Sequence, residues 1–397
     1  MFDCLVVGKG LFGAAATRHL SRVADRVGVL GPDEPARWEG HDGVFASHYD
    51  QGRIVSATGP DAVWNALREL STAEYRAIEE ASGVPFYVPV GLIRVCRADS
   101  PRIRQHSGRT PSGREGARTA ARFITPEAAL AQYQLRFPDG YRIVVEGPPS
   151  GYLNPREMIL GQLALAEAKG AAVIRETATN LALHGDYVTV STREGNRYES
   201  RKVLLATGAY ANSFDLLRRK LACRVKSETT ILGRVPESES RRLHGMPPVV
   251  YEVESPVLSS IYLLPPIRYP DGHWYVKLGC NTRLDRFLCD FDEMRDWMAH
   301  GDSDLVMKEM QEAVLALIPE LAVTDWRTKR CLVTYTPSGK PFIDGVEPGR
   351  VYVAVGGNGK GAHPSDAIGR IAAGLVMKNE WCSPLDRDPF RVEFAES

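Results

Sequence analysis

The chain has 397 residues, enough to bury a sizeable core in about two domains, and its 49 basic and 49 acidic residues balance. That balance supplies no global field for nucleic acid or an anionic membrane, and no apolar run approaches the ~18 residues of a membrane span. Seven cysteines (4, 96, 223, 280, 289, 331 and 382) are odd in number and lack a C-x-x-C pair. They argue for reduced thiols in a cytoplasmic protein, against a disulfide framework and against a metal cluster. The first strand starts at once and the chain closes on F-A-E-S, so neither a signal peptide nor a peroxisomal address is expected.

An apolar run, Cys4–Val7, enters a G-x-G-x-x-G loop at Gly8, Gly10 and Gly13, with Leu11 and Phe12 inside it. An Ala-rich helical stretch follows, then a second apolar strand at Val27–Leu30. Gly8 allows the tight turn, Gly10 lets a pyrophosphate reach the backbone, and Gly13 lets helix pack on strand. The helix N-terminus then offers free N–H groups to phosphate. Strand, loop, helix and strand in this order make a binding unit for FAD or NAD(P).

A polar, glycine-rich stretch at 40–59 precedes a helical pattern over 61–81. Residues 86–144 switch to short alternating strands, such as Gly91–Cys96, and a loop rich in Arg, Gly and Ser. Helical spacing returns at Pro155–Lys169, capped by Asn154 with Pro155 at the first position. Strand Ala172–Arg175 comes next, then a hairpin-like pair (186–192 and 197–200) and the apolar run Lys202–Ala206. Strands at Val249–Val253, Ser260–Leu264 and Trp274–Leu278 precede helices at 291–299 and 304–317. The chain ends on strand Val351–Val355, a glycine loop and helix Ala367–Met377. This layout predicts one nucleotide domain in three pieces (1–85, 145–215 and 325–397) and a second domain in two (86–144 and 216–324).

Nicotinamide enzymes need only the first fingerprint, whereas two later runs look built for a longer cofactor. V-L-L-A-T-G-A-Y-A-N (203–212) ends a strand at Thr207 and Gly208. V-Y-V-A-V-G-G-N-G-K-G-A-H-P (351–364) sets Gly357, Asn358, Gly359, Lys360 and Gly361 between a strand and a helix. Backbone N–H groups there would face an electron-rich ring edge or a phosphate.

With these runs, S-H-Y-D-Q-G-R-I (47–54), G-Y-L-N-P (151–155), Y-V-K-L-G (275–279) and C-L-V-T-Y-T-P-S-G-K-P-F-I-D (331–344), the chain resembles the glycine oxidase, D-amino-acid oxidase and monomeric sarcosine oxidase group of FAD flavoenzymes. The resemblance spans nearly the whole length. It implies an α/β chain of two domains (α+β in layout): a Rossmann-like FAD domain of the GR2 type with an inserted antiparallel-sheet substrate domain. It also implies oxidation of a C–N bond to an imine, with O₂ taking the electrons to give H₂O₂. Partners would be a small amine or amino acid and O₂, without nucleic acid or membrane, in a monomer or homodimer.

The same resemblance implies FAD bonded through Cys331, whose thiolate must form; Lys329 and Arg330 beside it in the chain are expected to lower its pKa. It implies that Lys277 activates O₂. A lysine within an apolar strand is costly to bury, which favours a role for it. Arg53 would lie beside the flavin with Ser47 and His48, and Thr179 beside the adenine through its backbone. Tyr49, Tyr251 and His363 would face the substrate.

Departures matter as much. Gly31 stands where the family has an acid for the adenosine ribose, leaving Asp33 or Glu34 to reach back. Ser56 and His363 stand where an arginine and a lysine hold the sarcosine carboxylate, and Tyr49 replaces a family histidine. Without that bidentate clamp a small α-amino acid should bind poorly, so a larger or differently charged amine is expected. Two alternatives stay open: a dehydrogenase passing electrons to a quinone or protein acceptor, and a flavoprotein subunit without turnover. Residues 100–122 hold six arginines against Glu115. They read as a solvated loop, or as a basic lip for an anionic substrate or a carrier protein.

Overall fold

The computed structural model describes residues 1–100 and 121–396. Two large sheets organise these residues. The first has a parallel centre in the order Ala172–Ile174, Val27–Leu30, Phe2–Val7, Arg197–Leu205 and Val351–Val355. Phe342–Glu347 adds antiparallel at one side, and the hairpin Ala178–Leu183 with Val188–Thr192 extends from Arg197–Leu205. Cys4 to Val7 are all buried, the pattern of a parallel strand covered on both faces.

Helix Leu11–Leu20 packs between Pro155–Glu167 and Ser365–Lys378. Small residues make that approach possible: a Cβ on Gly369 would lie 2.5 Å from the Cβ of Ala15. The layer also holds a buried charge cluster. Asp366 accepts from Arg18 at 2.7 Å and from Gln162 at 3.0 Å, with His19 at 3.2 Å.

The second sheet runs Phe287–Leu288, Arg224–Val235, Trp274–Thr282, Leu258–Arg268, Val249–Tyr251, Leu92–Arg97, Tyr141–Glu146 and Arg122–Ile124. Asp325–Tyr335 pairs with Arg224–Val235 along its length. One face is apolar: Val249, Ile261, Leu263, Val276 and Leu278 pack with Met310, Val314 and Leu317 of helix Met307–Leu317. Alternation puts Tyr262, Leu264 and Lys277 on the opposite face. That face roofs the segment at 47–53; a Cβ on Gly52 would lie 2.5 Å from Leu264 Cδ1. A small third sheet, Arg53–Val55, Gly151–Leu153 and Tyr87–Val88, carries the chain beneath it.

Two expectations need correction. The substrate-side sheet extends through Tyr335, past the expected boundary at 324/325, because Asp325–Tyr335 pairs with Arg224–Val235 before the chain turns back at 336–341. The hairpin arm at 197–200 and the apolar run at 202–206 form one strand, Arg197–Leu205, whose first half pairs with the hairpin and whose second half joins the parallel centre. The Asn154 cap stands as expected, its side chain accepting from the N–H groups of Arg156 and Glu157. The Arg-rich loop lies outside the described residues except for Ser100, Ala121 and Arg122. Among the described residues no helix is long and apolar enough to cross a membrane, and no group of His, Cys, Asp and Glu could hold a metal ion.

Replacing Asp366 with alanine strands Arg18 in the helix layer. The variant should lose about 3–5 kcal/mol, read as a lower urea midpoint. An unchanged midpoint would mean that water already reaches Arg18.

Candidate active site

The glycine loop forms a cradle that side chains cannot enter. Gly8 has φ +102°, and a Cβ on Gly13 would lie 1.7 Å from Gly8 O. Helix Leu11–Leu20 starts at Gly10 with no side-chain cap, so the first-turn N–H groups of Leu11, Phe12 and Gly13 face outward. The hydroxyl of Thr207 is buried without a hydrogen-bond partner beside this loop, and Gly208 follows at φ +58°. An orphaned hydroxyl next to an uncapped helix start fits a dinucleotide.

The late glycine loop closes on the early one. A Cβ on Gly361 would lie 2.9 Å from Phe12 Cζ, and a Cβ on Gly10 would lie 3.7 Å from His48 Nδ1. Burial, helped by Arg156, Arg53 and Lys9, pushes the His48 imidazolium down to about 3, so this ring is neutral. Asn358 shapes the loop itself. It accepts from Thr336 N–H at 3.0 Å and donates to Gly356 O at 2.6 Å and to Thr336 Oγ1 at 3.2 Å, which commits both of its amide hydrogens. Gly359 turns at φ +69°, and Lys360 is exposed. Thr179 has its carbonyl bonded to Asp215 N–H at 3.0 Å and its hydroxyl to Ser191 O at 3.4 Å. It is therefore engaged within its own part of the sheet.

A side chain at Gly31 has no room, since its Cβ would lie 2.8 Å from Lys9 N. The two nearby acids are already paired. Asp33 bonds Lys9 and lies 3.2 Å from Arg175, while Glu34 accepts from Arg156 at 2.6 Å.

Under the roofing sheet lies a buried charge network centred on Asp50. Tyr269 Oη donates to Asp50 Oδ1 at 2.6 Å, Arg53 Nη1 donates to Oδ2 at 2.6 Å, and Lys277 Nζ also bonds Oδ2. Lys277 donates to Gly52 O as well, at 3.0 Å, and is only 1 % exposed. Burial resists the Asp50 charge, but Lys277, Arg53 and Lys329 overcome it and hold the carboxyl well below its usual range. Burial and Arg53 push Lys277 down to about 8, with Asp50 opposing. Arg53 also donates to Gly52 O at 2.7 Å and to Ser47 O, and Ser47 Oγ donates to Leu332 O at 2.8 Å. Asp50 and Tyr269 were not anticipated. The signal was available in part, as an acid three residues before Arg53 is the natural neutraliser of a lysine buried in a strand.

Cys331 is paired with Glu228, which places it on the same face as Lys277. Burial pushes its thiol up, while Arg53 and Lys277 pull it down. The cations acting on it therefore include two from other elements. Of its chain neighbours, Arg330 points to the far side and donates to Gly301 O at 2.8 Å and Ala299 O at 3.1 Å. Lys329 bonds Tyr49 O and lies 4.8 Å from the Trp38 ring centroid.

Three expected substrate contacts are placed otherwise. Tyr49 is buried among Phe45, Tyr210, Met294 and Trp297, its hydroxyl donating to Asp33 O at 3.3 Å. Tyr251 pairs with Ile261 on the helix-covered face, edge-on to Phe137 and Tyr141 and away from Lys277. His363 spends both nitrogens: Nδ1 accepts from Ser56 N–H at 3.4 Å and Nε2 lies 2.7 Å from Thr72 Oγ1. Burial and then Arg68 hold its imidazolium well below the usual range, consistent with a neutral ring. Ser56 and His363, the positions at which a carboxylate clamp was expected to be missing, are thus joined through the Ser56 N–H.

A family model described as FAD dependent oxidoreductase matches residues 3–375. Among curated proteins, monomeric sarcosine oxidase of Streptomyces avermitilis is 25% identical over 419 residues, covering 99% of this chain and 98% of that one. Among solved structures, NikD, an unusual amino acid oxidase essential for nikkomycin biosynthesis, superposes with a TM-score of 0.74 at 19% identity, covering 100% of this chain and 98% of that one. Iminodiacetate oxidase from Chelativorans sp. BNC1 gives 0.71 at 18%, covering 98% of each. At those identities the two structures speak to the fold alone.

Asp50→Asn removes the common anion of Lys277 and Arg53. Unfolding free energy should fall by about 3 kcal/mol, and the Lys277 ammonium should titrate at lower pH than in the parent. A parent-like unfolding curve would show that the network is solvated.

Proposed function

The chain belongs to the FAD dependent oxidoreductase family, and from that premise we propose that it oxidises a secondary amine or amino acid other than sarcosine, with O₂ as acceptor and FAD bonded to Cys331. The observation that carries this reading is the buried ammonium of Lys277, held by Asp50 and Gly52 on the sheet face that also bears Cys331. Bound FAD supplies the two-electron chemistry, accepting hydride from the carbon next to nitrogen and delivering the electrons to O₂.

The protein's own groups do the rest by position and charge. Lys277 is a cation below about pH 8 and stabilises negative charge as it develops on O₂. Arg53, raised above its usual range by Asp50 although burial opposes it, is a permanent cation beside the thiol of Cys331. Cys331 would hold the group through its sulfur once the thiol gives up its proton, a loss that Arg53 and Lys277 favour and burial opposes. The uncapped N–H groups after Gly10 and the hydroxyl of Thr207 would hold the dinucleotide. Sarcosine is disfavoured because His363 is spent on Ser56 N–H and Thr72, the Ser56 hydroxyl is spent on Thr58 O, and neither residue is itself a guanidinium fork.

Lys277→Met should slow reoxidation of the reduced holoenzyme on the order of a hundredfold while anaerobic reduction by the amine changes little. In the parent, that oxygen step should fall as pH rises through about 8, where the lysine loses its proton. An oxygen step that is flat with pH and unaffected by Lys277→Met would refute the role. On a denaturing gel under ultraviolet light the parent should fluoresce and Cys331→Ser should not; fluorescence in both would place the bond elsewhere. A peroxide screen over N-methyl and cyclic amines should rank sarcosine low, and sarcosine as the best substrate would overturn that part of the reading.

A further inference from the structure

Beside the Ser56–His363 pair, positive charge outruns negative. Arg68, Arg94, Lys340 and Lys360 gather around only two carboxylates, Asp61 and Glu146. Both carboxylates are already committed. Glu146 bonds Arg94, Thr58 Oγ1 at 2.9 Å and Ser150 Oγ at 2.8 Å. Asp61 pairs with Lys340 at 2.7 Å and caps helix Ala62–Ser82 through Trp64 N–H at 3.0 Å.

Arg68 is left over. Although half-buried, its guanidinium makes one hydrogen bond among the described residues, at 3.3 Å to Asn65 Oδ1. Burial and the neighbouring Arg94 push its guanidinium down to about 10, far below the ordinary range of an arginine. Lys360, from the late glycine loop, has no carboxylate partner among the described residues and lies 6.0 Å from the Trp64 ring centroid. A half-buried guanidinium without an acid is costly to maintain and is the residue type suited to a carboxylate.

The location ties this charge to the active site. Thr72, one helical turn after Arg68, accepts from His363 Nε2 at 2.7 Å and donates to Arg68 O at 2.9 Å. Arg94 bonds Ser56, which directly follows the strand Arg53–Val55 that leaves the Asp50 network. We infer that Arg68, flanked by Lys360, receives a carboxylate of the substrate from the side of helix Ala62–Ser82, in place of a clamp at positions 56 and 363. Together with the amine oxidase reading on which it rests, this defines the substrate class as amines bearing an anionic arm.

Binding to the resting holoenzyme tests it without turnover. By calorimetry, succinate should bind and succinamide should not. Arg68→Gln should weaken succinate about tenfold, Arg68→Lys should retain most of the affinity, and Lys360→Gln should weaken it severalfold. With the amines found active, Arg68→Gln should raise KM for acids and leave KM for their amides and both kcat values near the parent. Equal succinate affinity in the parent and Arg68→Gln, or no succinate binding to the parent, overturns the inference. Should Arg68→Gln fail to retain FAD, the Arg68→Lys and Lys360→Gln pair decides by the same criterion. Succinate binding that depends on Arg68 in a protein producing no peroxide with any amine would instead sink the oxidase reading and leave this site standing.

Discussion

Asp50 is the constraint on which the site depends. Taking an ammonium and a guanidinium out of water together is prohibitive unless an anion comes with them. Here a single carboxylate serves both Lys277 and Arg53, and Tyr269 occupies its other oxygen. The three elements so joined are the 47–53 segment, the strand Trp274–Thr282 and the end of Leu258–Arg268. The charge network therefore also clamps the second sheet over the 47–53 segment. Fold and chemistry share one interaction, and neither sheet alone would position the lysine.

Local signals were legible and distant ones were not. The glycine loop could be read because each glycine answers a contact within a few residues, as the Gly8–Gly13 approach shows. The burial of Lys277 was legible because its strand is apolar on both sides in sequence. Its counterion was not, since Asp50 lies 227 residues away along the chain and Tyr269 lies 219 residues from Asp50. Tyr49 and Tyr251 show the converse limit. Both were expected near substrate, but strand alternation turns Tyr251 to the helix-covered core, and packing with Phe45 and Trp297 takes Tyr49 out of reach. The sheet boundary was displaced for a similar reason, because pairing over Asp325–Tyr335 is decided by a partner a hundred residues earlier in the chain.

The departures at Ser56 and His363 acquire meaning only in three dimensions. On paper they are two losses from a carboxylate clamp. In the fold they are a bonded pair, closed by Thr72 and Tyr75, that fills the space with neutral groups. Positive charge lies on the neighbouring helix, at Arg68, and on the late glycine loop, at Lys360.

The most direct test of the account is the titration of Lys277 itself. Carbon-13 labelled lysine, followed by NMR and assigned through the Lys277→Met variant, should give a resonance with a midpoint near 8. Titration of that resonance at the ordinary lysine value of about 10.4 would contradict the depression by burial and Arg53, and the fall of the oxygen step near pH 8 would lose its basis.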